Sequence, residues 1–283
     1  MIIVTGASGQ LGRLVIDNLL RHVPPSRIVA AVRSPEKAKD LAQRGIEVRQ
    51  ADYDRPETLR SAFRGATKVL LISSSEVGRR TAQHRAVIDA AKQAGVGFLV
   101  YTSLLHADTS PLGLADEHRE TEALIGKSGI PAAILRNGWY SENYLASVPT
   151  ALQYGALLGC AGDGRIASAA RADYAEAAAV VLAGPDTASR IHELAGDTAY
   201  SLGELAREIA RKTGKEVIYR NLAQDEFKNN LTAAGLPEAF AALLADSDAG
   251  AARGALFDDS HTLSRLIGHP TTPISTQLDA ILK

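Results

Sequence analysis

Residues 2–20 read IIVTGASGQLGRLVIDNLL, and the fold class is decided there. Four residues of β character, Ile2–Thr5, run into a loop with glycines at positions 6, 9 and 12. Leu11, Leu14, Val15 and Leu19 then recur at helical spacing. Strand, glycine-rich loop and helix in that order predict a phosphate cradle. Gly6 permits the tight turn, Gly9 lets backbone approach a pyrophosphate, and Gly12 lets the helix pack on the strand. The helix N-terminus supplies free N–H groups and the positive end of its dipole. Ser8, Gln10 and Leu11 belong to the same cofactor-binding loop. A glycine pattern alone is weak evidence, and its place between a strand and a helix is what makes it specific.

Outward from this loop the same alternation continues. Short apolar runs lie at Arg27–Val32, Ile46–Gln50, Val69–Ser73, Phe98–Thr102 and Ala132–Leu135. Helix-length segments separate them, with Val87, Ile88, Ala91 and Ala94 on one face. Strands divided by helices predict an α/β fold, a doubly wound parallel sheet of the Rossmann type with right-handed crossovers. Ser34-Pro35 reads as an N-cap followed by a first-turn proline, and Gly95 as the stop of the fourth helix. Past about residue 150 helical patterns dominate, at Asp173–Leu182, Leu202–Thr213 and Asp225–Ala234, with one strand-like piece at Glu216–Tyr219. The expected division is a dinucleotide-binding domain over 1–150 and a smaller, mostly helical substrate domain over 151–283, closely packed on the first.

Composition narrows the partners. The 31 basic and 32 acidic residues leave a net charge of −1, which offers no electrostatic footprint for nucleic acid or an anionic membrane. A single cysteine, Cys160, excludes an internal disulfide framework and a thiolate zinc site, and reads as a packing residue. The first residues lack a charged leader and a cleavage pattern, and no apolar run is long enough to span a bilayer. The expectation is a cytoplasmic protein with a small-molecule partner and no membrane insertion, either monomer or homodimer.

The dinucleotide's identity rests on the end of the second strand. An acidic residue there would accept hydrogen bonds from the ribose hydroxyls of NAD. The chain instead reads AAVRSPEK, with Arg33 at that place and Lys37 one helical turn on. A guanidinium meets a 2′-phosphate through two charge-assisted bonds, so the expected cofactor is NADPH. After the third strand, QADYD sets Asp52 and Tyr53 where an adenine would be met. Ser73, Ser74 and Ser75 follow the fourth strand, on the edge where the nicotinamide half is expected.

None of the eight tyrosines has a lysine four residues later, so a tyrosine–lysine proton relay is absent. No H-E-x-x-H and no G-x-S-x-G occurs, and no metal is expected. Polar residues cluster elsewhere. LADEHRETEALI carries Asp116, His118, Arg119 and Glu122 on a helix after the fifth strand. LRNGWYSENYL follows the sixth strand and carries Asn137, Trp139, Tyr140, Glu142, Asn143 and Tyr144. Aromatic rings interleaved with amides suit a flat, conjugated substrate, and equally suit core aromatics at a domain junction. Hydride transfer needs no other catalytic group, because a nicotinamide carries the hard chemistry.

VTGASGQLG, VRSPEKA and RQADYD, with the more particular ISSSEVG, YTSLLHADTSPLGLADEH, LRNGWYSENYLAS and LFDDSHTLSRLIGHPTT, make the chain resemble the NmrA-like branch of the atypical short-chain dehydrogenases over essentially its whole length. The resemblance implies NADPH across the sheet edge, a quinone in the cleft between the two parts, and hydride passing directly between them without flavin. Gly6, Gly9 and Gly12 match the phosphate loop, Arg33 the 2′-phosphate site, and Asn137 to Asn143 the wall facing nicotinamide and substrate. His118 stands where plant relatives carry a catalytic lysine, which makes it, with Tyr140 and Asn143, a candidate catalytic residue and a candidate proton donor. The family also contains regulators that bind the dinucleotide without turnover, so an NADP(H) sensor is the alternative.

Overall fold

The computed structural model describes residues 1–282. Its first half alternates as expected: β1 (Ile2–Thr5), α1 (Gln10–Leu19), β2 (Ile28–Val32), α2 (Lys39–Gln43), β3 (Glu47–Gln50), α3 (Pro56–Ala62), β4 (Lys68–Leu71), α4 (Arg80–Gln93), β5 (Phe98–Leu104), α5 (Ala115–Ser128) and β6 (Ala132–Asn137). The remainder comprises α6 (Ser141–Leu145), α7 (Val148–Tyr154), β7 (Ala156–Gly159), α8 (Arg171–Ala183), β8 (Arg190–Leu194), α9 (Leu202–Thr213), β9 (Ile218–Asn221), α10 (Gln224–Ala233), α11 (Glu238–Ala251), α12 (Thr262–Ile267) and α13 (Ile274–Ile281).

Seven strands form one sheet in the order β3-β2-β1-β4-β5-β6-β8, and β1 to β6 pair in parallel. This is a doubly wound sheet. The interior strands IIVT and IVAAV are buried at every position, as strands covered on both faces must be. The edge strand EVRQ is partly exposed. Strand order reverses between β1 and β4, and the loop of residues 6–12 leaves β1 at that switch point, where open α/β sheets take their ligands.

The chain divides into two units. The first holds Met1–Ala107, Asp116–Asn137 and Ala172–His192; the second holds Asp108–Ala115, Gly138–Arg171 and Glu193–Lys283. Residues 108–115 and 138–150 therefore lie in the second unit, and nearly all of α8 in the first. Lys68 at the start of β4 donates to the Leu182 carbonyl at the end of α8, 3.0 Å away. The second unit is mostly helical and has its own parallel pair, β7 with β9. Its α9 opens on a reciprocal cap: Ser201 Oγ accepts from the Glu204 N–H, and the Glu204 carboxylate accepts from the Ser201 N–H. No helix among the described residues is long and apolar enough to cross a membrane.

Two local expectations change. Ser34-Pro35 opens a short 3-10 turn, Pro35–Ala38, and the Ser34 hydroxyl caps nothing. The Lys37 N–H that it would have accepted is taken by the Ser34 carbonyl at 3.1 Å. On α1, Ile16 is buried while Leu14 is only half-buried, so the buried face is rotated towards Val15 and Ile16.

Gly12 and Gly126 give opposite expectations for alanine. A Cβ at residue 12 would lie 2.5 Å from the Gly6 carbonyl oxygen, whereas one at residue 126, on α5, meets nothing within 4 Å. Chemical denaturation should show Gly12→Ala losing about 1–3 kcal/mol and Gly126→Ala gaining up to about 1 kcal/mol. A neutral Gly12→Ala would contradict the close approach.

Candidate functional site

The glycine loop is built to leave donors free. Gly6 takes φ +60°, and its carbonyl accepts from the Gly9 N–H at 2.9 Å. Helix α1 then begins with no side-chain cap, and its first intrahelical bond runs from the Arg13 N–H to the Gly9 carbonyl at 3.0 Å. The N–H groups of Gln10, Leu11 and Gly12 have no helical acceptor and form the positive end of the helix dipole. Gly6, Gly9 and Gln10 are exposed, Ser8 is half-buried and Leu11 is buried. Arg13 ties the loop to the turn after β2: it pairs with Asp40, donates from Nη2 to the Lys37 carbonyl at 2.6 Å and from Nε to the Ser8 carbonyl at 3.2 Å. Arg33 and Lys37 are exposed on that turn.

Along the same edge, the Asp52 carboxylate turns its own loop by accepting from the Asp54 N–H at 3.1 Å. The Tyr53 hydroxyl points inward, 2.5 Å from Thr5 Oγ1 and donating to the Ile72 carbonyl at 2.9 Å. Burial raises its pKa, and the phenol braces the ends of β1 and β4, leaving only the ring for an adenine contact. Beyond β4, the Ser73 N–H donates to Thr102 Oγ1 and the Ser74 N–H to His84 Nε2, both at 2.9 Å. Ser75 is exposed. At the end of β6, Asn137 is buried and its side-chain oxygen has no partner. A buried acceptor left open costs about 1–3 kcal/mol.

The second unit carries the next residues of that stretch. Tyr140 precedes α6, and Asn143 lies half-buried in the helix's first turn, its N–H donating to the Tyr140 carbonyl at 3.0 Å. Arg171 lays its guanidinium over the Tyr140 ring, 4.6 Å from the centroid, while its N–H donates to the Glu142 carboxylate at 2.9 Å. Ser141, Ser168 and Tyr200 form a buried hydroxyl chain with links of 2.8 and 2.7 Å. Trp139 and Tyr144 are buried, and the Tyr144 hydroxyl donates to Asp248 at 2.8 Å. These two rings are core members, while Tyr140 and Asn143 are the more accessible residues of the set.

The NmrA-like family model matches residues 1–266. Quinone oxidoreductase 2 of Escherichia coli (strain K12) is 60% identical over 275 residues, covering 97% of this chain and 96% of that protein. The chain belongs to the NmrA-like family. The crystal structure of the NADPH-dependent quinone oxidoreductase from E. coli complexed with NADPH superposes with a TM-score of 0.98 at 58% identity, each chain covered in full. Triphenylmethane reductase from Citrobacter sp., complexed with NADP(H), superposes with a TM-score of 0.96 at 37% identity over 99% of each chain.

In this NmrA-like chain His118 is enclosed by its neighbours. It is buried, with Nδ1 at 2.7 Å from the Tyr101 hydroxyl and Nε2 at 3.4 Å from Arg80 Nη1. Burial, then the adjacent Arg80, then His84 push its pKa well below the usual 6.5, so the ring is neutral at physiological pH. Arg80 has no acceptor role, which makes Nε2 the lone-pair nitrogen and Nδ1 the protonated one. His84 is fixed in the same tautomer. Its Nε2 accepts from the Ser74 N–H, and its Nδ1 lies 2.9 Å from Thr121 Oγ1, which donates onward to the Glu117 carbonyl. Arg80 closes the network by donating from Nε to the Ser74 carbonyl at 2.7 Å. Arg80, His84, Thr102 and Thr121 thus hold the serine loop, and sequence reasoning missed all four. A polar residue spaced along the buried face of α4 was the one available signal, since Arg80, Gln83, His84 and Val87 all turn inward there.

The buried histidines set an acid limb for stability. Burial, with Arg80 beside it, lowers the His84 pKa to about 3. Below 6.5 the unfolded chain binds a proton that the folded chain refuses, so stability is full above 6.5 and falls as pH drops towards 3. Asp248, pushed up to about 6 by burial, acts in the opposite sense, since the folded state binds its proton more tightly. Thermal unfolding against pH should show His84 alone contributing roughly 2 kcal/mol of destabilisation at about pH 5. His84→Gln, which keeps an acceptor for Ser74, should flatten that limb. An unchanged profile would contradict a neutral buried His84.

Proposed function

We propose that this NmrA-like chain is an NADPH-dependent reductase that passes hydride to a quinone, or a similar conjugated acceptor, without flavin. The observation that carries the reading lies in the first unit: uncapped N–H donors at the start of α1 and an unpartnered buried acceptor on Asn137 stand at carboxyl ends of strands of one parallel sheet. The likeness to the E. coli quinone oxidoreductase supports the choice of acceptor. Bound NADPH supplies the hydride and both electrons.

The chain's residues bind and orient. Gly6, Ser8 and Gly9 shape the cradle, and the N–H groups of Gln10, Leu11 and Gly12 take the pyrophosphate. Arg33, with Lys37, takes the 2′-phosphate; Asp52 and the Tyr53 ring border the adenine. Ser73, Ser74 and Ser75 meet the ribose on the nicotinamide side, and Asn137 Oδ1 accepts from the carboxamide N–H. Tyr140 and Asn143 orient the acceptor. Quinone, NADPH and one proton give hydroquinone and NADP⁺, and the proton comes from solvent. His118, neutral and enclosed, acts as a positioning residue through Arg80 in place of the proton donor its position suggested. We read the enzyme as cytoplasmic, and as a monomer or homodimer.

Flavin-stripped protein given NADPH and a simple quinone should consume NADPH well above the uncatalysed rate. Tight NADPH binding with no acceleration would overturn the enzyme reading and favour the NADP(H) sensor. Arg33→Ala should weaken NADPH binding by about 1–3 kcal/mol and NADH binding far less. Equal losses for both would remove Arg33 from the 2′-phosphate.

A further inference from the structure

Arg33 already has an anionic partner. It is 69% exposed, and its Nη1 stands 3.2 Å from Oε1 of Glu76, itself 34% exposed. The other Glu76 oxygen accepts from Arg79 Nη1 at 3.0 Å and from Gln83 Nε2 at 3.1 Å. Arg79 also donates from Nη2 to Asp54 at 2.9 Å, and Gln83 Nε2 reaches the same carboxylate at 3.2 Å. Within this cluster two guanidinium groups are therefore balanced by two carboxylates. The Glu76 backbone is held as well, its N–H donating to Ser74 Oγ at 3.1 Å.

We propose that Glu76 sets the preference between NADPH and NADH, because its carboxylate occupies the guanidinium that a 2′-phosphate must engage. The proposal rests on the reading that Arg33 receives that phosphate. A phosphate monoester carries a charge of about −1.5 to −2 at pH 7 and offers three acceptor oxygens, so it outcompetes one carboxylate on an exposed guanidinium. The exposed Arg33–Glu76 pair is itself weak, which lets the exchange occur. Glu76 does not leave the neighbourhood after exchange. Its backbone is tied to Ser74 and its side chain to Arg79 and Gln83, so carboxylate and phosphate stay within a Debye length of about 8–10 Å and repel. A cofactor ending in free ribose hydroxyls meets no such repulsion. For it the carboxylate is an acceptor, the role an acidic residue at the end of β2 has in NAD-specific relatives of this architecture. Glu76 thus costs NADPH affinity and supports NADH.

Calorimetric titration of NADP⁺ and NAD⁺ into wild type, Glu76→Gln, Glu76→Ala and Arg33→Ala tests this without turnover. Both Glu76 variants should bind NADP⁺ about three- to fivefold tighter, the scale of an exposed ion pair, and should bind NAD⁺ no tighter. The gain should shrink when salt is raised from about 0.02 M to about 0.5 M. Should Arg33→Ala abolish the preference for NADP⁺ while both Glu76 variants leave the NADP⁺/NAD⁺ ratio at the wild-type value, Glu76 is not the discriminator and the Arg33 reading stands. Should Arg33→Ala weaken both dinucleotides equally, the 2′-phosphate reading and the role of Glu76 fall together.

Discussion

The approach of α1 to the loop before it is the constraint on which the first unit is organised. At residue 12 a methyl group would come within 2.7 Å of Ala7 Cα and closer still to the Gly6 carbonyl, so only glycine lets the helix begin there. With the helix seated at that point, its uncapped N–H groups lie at the switch point between β1 and β4. The parallel register does the rest. Because β1, β2, β4 and β6 run in one direction, the glycine loop, Arg33, the serine loop and Asn137 all emerge at one edge of the sheet.

The serine loop is held largely by residues distant in sequence. Its backbone is gripped by Thr102 at β5, by His84 and Arg80 on α4, and through them by Thr121, His118 and Tyr101. Buried polar groups are costly unless satisfied, and here each ring nitrogen has a partner, so the network favours one loop conformation over others. The chemistry of His118 follows from this. A ring fixed between a guanidinium and a phenol stays neutral.

The sheet was legible because its strands are short β-branched runs between helical patterns: Ile2–Thr5 is β1 to the residue, and β2, β3 and β6 begin within one residue of expectation. The glycine loop was legible because glycines set between a strand and a helix have few physical alternatives. Partners distant in sequence were not. Glu76 meets Arg33 across 43 residues and Arg80 meets His118 across 38, and neither pairing leaves a local pattern. For the same reason α8 was read with the C-terminal part: its helical spacing says nothing about which body it packs on, and nearly all of it lies in the first unit. His118 was read correctly as a polar residue on a helix, but its burial depends on Tyr101 and Arg80 arriving from two other elements.

Whether this protein's own bound NADPH hands its hydride directly to the quinone is decided by a single-turnover isotope experiment. Flavin-free protein is loaded with NADPH carrying deuterium at the transferred C4 position, mixed rapidly with a quinone, and compared with the protonated cofactor. Slower consumption of the deuterated cofactor, with no flavin present, is the predicted result. Turnover that appears only when flavin is supplied, or bound NADPH that survives mixing with quinone unchanged, would contradict the account.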